Sequence, residues 1–369
     1  MEVYSSYQLL PANDINFGYS EAIKMSILGK DFICTEDWEL NEILRVLALA
    51  SEMKKDPCNP RWVTALKYKS FLMLFYNPSL RTHMSFETAI CELGGTAICR
   101  NPEMNWKKSK NGLSSSEALK DIARVISRYV DGVGIRITMD AVSRYGDGHK
   151  FIRDFAHFSD VPVIGMADDR VHPCQGLADI MGWSERYSPN GDVDSLKGKT
   201  LLLTWGSSGF TRPLASVQSH LLLASKLGMN IKIAYPEGYE LDGDVCEQTR
   251  KNCKKNNATY EVLHDSNSGY EGAHVVYARN WVTRDAYENG EFQFQKEINR
   301  AFSFKDWIVT EEKMKRTEKA IFANPMPIDR GREAEDAVIE SEYSVIYDVA
   351  ENRKHTQKAL LSLILGEVK

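Results

Sequence analysis

Phe71-Leu72-Met73-Leu74-Phe75-Tyr76-Asn77-Pro78-Ser79-Leu80-Arg81-Thr82-His83 passes without a break from six apolar or aromatic residues into a turn carrying two hydroxyls and a guanidinium. Beyond it, Met84 to Leu93 changes to helical spacing. A short apolar run followed by that change of period is a strand leading into a helix, and the heptapeptide Asn77–His83 is the turn between them. The first N–H groups of a helix have no partner within it and carry the positive end of its dipole, so hydroxyls and a guanidinium placed there form a cradle for a doubly charged anion. Taken alone, Ser79 or Thr82 could equally be an ordinary helix cap.

Two further junctions repeat the pattern. Val161-Pro162-Val163-Ile164-Gly165-Met166 is followed by Val171-His172-Pro173-Cys174-Gln175 at the start of another helix, and Gly134-Ile135-Arg136 closes another apolar segment. Expected strands lie near 70–76, 96–100, 132–137 and 161–166, with helices near 37–53 (capped by Thr35), 83–94, 116–129 and 149–157. After the turn-rich stretch Tyr187–Asp192 the alternation restarts. Strands are expected at 200–205, 230–235, 260–263, 274–277 and 320–323, and helices at 213–227, 244–256 and 348–365. Such alternation predicts an α/β fold of two doubly wound parallel sheets. Ligands of these sheets bind beyond the carboxyl ends of the strands, where Ser79, Arg81, Thr82, Arg136 and His172 all fall.

Composition limits the partners. The 369 residues are 43% hydrophobic and 26% charged with a net charge of −5, which suits a globular chain of about two domains and gives no general attraction for nucleic acid or an anionic membrane. No run of 18 or more uncharged apolar residues occurs, and Met1-Glu2-Val3-Tyr4 lacks the layout of a signal peptide, so a cytoplasmic location is expected. Seven cysteines without a C-x-x-C pair or zinc-ligand spacing read as reduced thiols, and neither metal nor cofactor is expected. Gly198-Lys199-Thr200 is not a Walker loop, because Val193 stands at the first glycine and a strand follows. Gly206–Phe210 lacks the third glycine of a dinucleotide fingerprint.

The three junctions together resemble the aspartate/ornithine carbamoyltransferase family, with its S-x-R-T-R and H-P-x-Q motifs, from about residue 29 onward. Asn77–Thr82, His172–Gln175, Leu203-Thr204-Trp205 and Ala350-Glu351-Asn352-Arg353 through Gln357-Lys358-Ala359 are most similar to the N-acetylornithine branch and its knotted relatives. The resemblance implies a carbamoyl-phosphate domain at 29–185 completed by a return helix at 345–369, an acceptor domain at 192–344, and an extension at 1–28. It also implies a knot in the second domain, around Arg212-Pro213-Leu214, and a homotrimer with shared sites.

In that frame Ser79, Leu80, Arg81, Thr82, Trp106, Arg136, His172, Gln175 and Arg353 hold carbamoyl phosphate, with Arg81, Arg136, His172 and Gln175 catalytic and Trp106 supplied to the neighbouring subunit. Asp168, Arg279, Pro325, Met326 and Arg330 face the acceptor, a primary amine of an amino-acid-like molecule, best matched by an N-acylornithine. Ornithine, putrescine, or a non-catalytic role in binding carbamoyl phosphate are the alternatives. Several positions depart from the family. His83 replaces an arginine, Asn324-Pro325-Met326-Pro327 replaces H-C-L-P or H-P-L-P, and Arg279, Ser116 and Glu333 replace a lysine, a glutamate and a modified lysine of the acetylornithine branch.

Overall fold

The computed structural model describes residues 27–102, 106–109, 112–115 and 117–366, the two short central pieces by their backbone alone. Strands β1 (Ser70–Phe75), β2 (Thr96–Arg100), β3 (Gly132–Arg136) and β4 (Val163–Ala167) form a parallel sheet in the order β2-β1-β3-β4. Strands β5 (Thr200–Trp205), β6 (Asn230–Ala234), β7 (Tyr260–Leu263), β8 (Val275–Arg279) and β9 (Ile321–Ala323) form a second parallel sheet, ordered β9-β8-β5-β6-β7. In both sheets the winding reverses beside the first strand: at β1/β3, where Phe75 pairs with Arg136, and at β5/β8, where Trp205 pairs with Arg279. A crevice opens at such a reversal because the two connections leave toward opposite faces.

The opening apolar run is explained by its two-sided burial. Phe71, Met73 and Phe75 enter the main core, while Leu72, Leu74 and Tyr76 enter a separate cluster on the other face with Val133, Ile135, Phe151 and Phe155. Burying each of these large side chains contributes about 1.5–3 kcal/mol.

The helices are α1 (Leu40–Lys55), α2 (Leu80–Glu92), α3 (Leu119–Ile126), α4 (Asp147–Phe158), α5 (Pro173–Tyr187), α6 (Ala215–Lys226), α7 (Gly243–Lys255), α8 (Phe294–Ala301) and α9 (Ile346–Ile364), with two single-turn helices between the last two. Three boundaries differ from expectation. Helix α1 begins at Leu40, where the Glu42 carboxylate accepts the Glu39 N–H at 2.8 Å, while Thr35 lies in a short 3₁₀ turn. Helix α3 is shorter than its apolar pattern. Helix α2 begins at Leu80 instead of near 83, because Ser79 caps it by accepting the Thr82 N–H at 3.4 Å.

Helices α5 and α6 are buried almost all round and pack on each other between the two sheets. Helix α9 then returns to pack on α1, α2 and α5. Gly182 of α5 permits the approach, since a Cβ there would stand 2.9 Å from Val349 Cγ2. No helix among the described residues is long and apolar enough to cross a membrane.

Candidate active site

A cavity of about 310 Å³ lies where the carboxyl ends of the two sheets face each other. From the first sheet come Ser79, Leu80, Arg81 and Thr82 at the start of α2, Arg136 at the end of β3, and His172 and Gln175 at the start of α5. Arg279 at the end of β8, Arg212 before α6 and the Pro325-Met326-Pro327 loop close the other side, and Arg353 reaches in from α9.

Hydrogen bonds bind these pieces to one another. Asn77 Oδ1 accepts the Thr138 N–H at 2.6 Å and its amide group donates to Asp140, tying the turn after β1 to the turn after β3. Arg353 donates through Nη2 to Thr82 Oγ1 and through Nη1 to Gln175 Oε1, each at 3.0 Å. Ser79 is thus both cap and cavity wall, and the two readings of this turn coexist. Because Thr82 Oγ1 accepts from Arg353, its own proton is left to donate.

Five guanidinium groups line the cavity, from Arg81, Arg136, Arg212, Arg279 and Arg353, and no carboxylate does among the described residues. The Nε atoms of Arg136, Arg212, Arg279 and Arg353 and the Nδ1 of His172 are buried without a protein partner. Buried donors without a protein partner suit an anion or other acceptor. Burial, with mutual repulsion next, pushes Arg136 down to about 10, so it stays cationic at neutral pH. Burial likewise brings Arg353 and Arg212 to about 10. His172 lies well below the ordinary imidazole value, first because it is buried and then because Arg353 and Arg136 stand beside it, so its ring is neutral.

Two residues expected on the acceptor side sit elsewhere. Asp168 is buried behind the cavity: its Oδ1 accepts the N–H groups of Arg170 and Val171, and its Oδ2 pairs with His149 Nδ1 at 2.8 Å. It shapes the turn that presents His172. Arg330 is held at the surface by Asp336 and Glu340, at 2.8 and 2.6 Å, outside the cavity. Ser116 lies outside the described residues, and Trp106 is described by its backbone, which pairs with Ser115 in a two-stranded ribbon.

Besides Thr138, Thr211 and Ser216, motif reading left out of the cavity Arg212, which it placed only near the expected knot. Arg212 follows a strand and precedes a helix, as Arg81 does, and that spacing was the available signal.

The replaced segment has a structural logic. Asn324 is fully buried; its Nδ2 donates to the Ala278 carbonyl at 2.8 Å and its Oδ1 accepts the Met326 N–H at 2.7 Å, holding Met326 at φ +55°. A non-glycine residue in that region is strained and persists only where its surroundings fix it. Pro327 in turn offers its carbonyl to Arg279 Nη1 at 3.0 Å. Glu333, fully buried, accepts the N–H groups of Asn280 and Asp329.

Residues 30–185 match the model for the aspartate/ornithine carbamoyltransferase carbamoyl-P binding domain, and residues 215–364 that for its Asp/Orn binding domain. The chain belongs to this family. Among the relatives of this carbamoyltransferase, the N-acetylornithine carbamoyltransferase of Xanthomonas campestris pv. campestris is 33% identical over 347 residues, covering 92% of this chain and 98% of the relative. The ornithine carbamoyltransferase of Pyrococcus abyssi is 32% identical over 345 residues, covering 94% and 98%. A crystal structure of acetylornithine transcarbamylase complexed with acetylcitrulline superposes with a TM-score of 0.81 at 32% identity, covering 92% of this chain and 100% of that one. As a carbamoyltransferase, the chain moves the carbamoyl group of carbamoyl phosphate to an amine of an amino-acid-like acceptor.

Proposed function

We propose that the acceptor is an ornithine-like amine whose α-nitrogen is acylated. The observation that carries this is the charge of the cavity: five guanidinium groups and no carboxylate among the described lining residues. Carbamoyl phosphate and the acceptor's α-carboxylate supply matching negative charge. A free α-ammonium, as in ornithine, would be buried among cations without a carboxylate to balance it, and acylation removes that charge. Ser116, which stands where the acetylornithine branch carries a glutamate, brings no negative charge to that position of the sequence, in keeping with an acidic acyl arm.

In this reading Ser79, the Leu80 backbone, Arg81 and Thr82 hold the phosphate at the start of α2. Arg136 bridges the phosphate and the carbamoyl carbonyl, and Arg353 locks Thr82 and Gln175. The amine attacks the carbamoyl carbon, negative charge collects on the carbonyl oxygen, and Arg136 with neutral His172 donates to it. The C–O bond to phosphate then breaks. The departing phosphate is the base that removes the amine's proton, because the cavity offers no carboxylate and His172 is a poor base. Gln175 Oε1 accepts from the carbamoyl NH₂. Arg279 and Arg212, with the carbonyls of Pro325 and Met326, orient the acceptor.

The same reading includes domain limits of 29–185 with 345–369 and of 192–344, a cytoplasmic location, and a homotrimer in which the Trp106 ribbon completes a neighbour's site. It also includes a knot through the loop 206–213. In support of the knot, that loop is gripped on both sides: Arg212 O accepts the Val282 N–H, while Asp329 Oδ2 accepts from Ser208 and Gly209.

The test is a mass-spectrometric search for ureido products from carbamoyl phosphate with N-acetylornithine, N-succinylornithine, ornithine and putrescine. A dominant product from an N-acylated acceptor is expected. A stronger product from ornithine or putrescine overturns the acceptor class. Absence of any product, together with more thermal stabilisation by carbamoyl phosphate than by inorganic phosphate, points to the binding-only alternative; no such difference counts against carbamoyl-phosphate recognition altogether.

A further inference from the structure

Behind the cavity, Asp179 of α5 and His220 of α6 are fully buried and take no part in the chemistry above. They meet across the seam between the two helices, with His220 Nε2 at 2.7 Å from Asp179 Oδ2. His220 Nδ1 is bonded to the Ser216 carbonyl. A carbonyl oxygen only accepts, so Nδ1 carries a hydrogen, and a second hydrogen lies between Nε2 and the carboxylate. Tyr277 and Trp183 clamp the imidazole, with ring centres 4.3 and 5.4 Å away. The same Asp179 Oδ2 accepts Gln175 Nε2 at 2.9 Å.

These contacts decide which end of the Gln175 amide faces which way. The Asp179 carboxylate accepts and the Arg353 guanidinium donates, so only one orientation satisfies both: NH₂ toward Asp179, oxygen toward Arg353. The oxygen has a second lone pair, and Gln175 lines the cavity. We infer that Asp179 and His220 are a positioning pair that keeps Gln175 a hydrogen-bond acceptor toward the donor substrate, and so makes the site prefer a carbamoyl group, with its N–H, over an acyl group without one. The inference rests on the role given to Gln175 under the proposed function.

Asparagine at position 179 would be isosteric and electrically different. Its oxygen can accept from Gln175 and His220 together only if His220 keeps its second proton with no counter-charge. If the asparagine amide turns its NH₂ to His220 instead, Gln175 loses its acceptor and its orientation is no longer fixed.

The experiment measures binding of carbamoyl phosphate and of acetyl phosphate, which replaces NH₂ by CH₃, to the full-length wild type and to Asp179→Asn, His220→Leu and His220→Gln. Wild type is expected to prefer carbamoyl phosphate. In Asp179→Asn its affinity should fall about tenfold, the scale of one buried hydrogen bond, while that for acetyl phosphate changes less than about twofold. His220→Leu should shift the ratio the same way, and His220→Gln, whose amide N–H can still donate to Asp179, should restore it. If Asp179→Asn fails to fold, the two His220 variants make the same comparison. Equal losses for both ligands, or an unchanged ratio in every variant, overturn the positioning role and leave the pair structural. A wild type without any preference overturns the role given to Gln175 under the proposed function, and this inference with it.

Discussion

Arg353 Nη2 donates to Thr82 Oγ1 at 3.0 Å, making one hydrogen-bonded unit of two residues 271 positions apart in the chain. The guanidinium also serves Gln175, so a single side chain of α9 ties together two of the helix starts that face the cavity, those of α2 and α5. Lysine offers a point charge in place of a planar fork. Arg353→Lys is therefore expected to keep the charge and lose one or both bonds, lowering kcat/KM for carbamoyl phosphate by about a hundredfold, as two charge-assisted hydrogen bonds require. Steady-state kinetics checks this, and a drop of less than about threefold would mean that the bridge has no catalytic consequence.

Arg81 and His172 should separate binding from turnover. Arg81→Ala removes a cation from the start of α2 and should abolish measurable carbamoyl-phosphate binding. His172→Ala removes a neutral donor to charge that develops only during reaction, so kcat should fall about a hundredfold or more with binding partly kept. Calorimetric titration beside steady-state kinetics distinguishes the two. The assignment fails if both variants turn over the true acceptor at the wild-type rate.

The neutral ring of His172 also leaves a mark on stability. Its folded-state pKa is depressed, so below the ordinary imidazole value near 6.5 the unfolded chain takes up a proton that the folded chain refuses. The contribution is present above that value and is lost as pH falls through the window beneath it, at up to about 1.4 kcal/mol per pH unit. Urea denaturation from pH 7 to 5 should show a shallower loss for His172→Gln than for wild type. Equal slopes would contradict the neutral assignment.

Asn324 is expected to matter for the loop beneath the acceptor. Asn324→Ala leaves the Ala278 carbonyl and the Met326 N–H without their partner and should cost about 2–4 kcal/mol of stability. It should also raise KM for the acceptor more than KM for carbamoyl phosphate, because the loop ends at the carbonyl that holds Arg279. Chemical denaturation and two-substrate kinetics check the two halves separately.

The strand-to-helix junctions were legible in the sequence because they are local. An apolar run buried on two faces, a hydroxyl cap and a change of period all occur within about fifteen residues, and Ser79, Arg136 and His172 could be placed at strand ends from them. Polar partnerships over long separations were not legible. Asp168 and Arg330 have the right charge and neighbourhood for the cavity, yet nearby donors and carboxylates claim them first. Arg212 was passed over because its loop carries no phosphate motif, although the crossing of the second sheet delivers it to the cavity. The meeting of Asp179 with His220 depends on how α5 and α6 cross, which hydrophobic spacing does not encode.

The return of α9 has a consequence for how this protein is made. Lys354 and Lys358 pair with Glu92, and the Gly29 N–H bonds to the Ile364 carbonyl, so the first sheet's helical layer is closed by residues made 262 positions or more after α2. At about 5–20 residues per second, roughly 15–50 s separate the synthesis of α2 from that of its partner helix. Until α9 is made, the faces of α1 and α2, and of α5 once it has been synthesised, that α9 will cover stay open. The nineteen-residue α9 thus sets the moment at which the first sheet's half can become a finished folding unit.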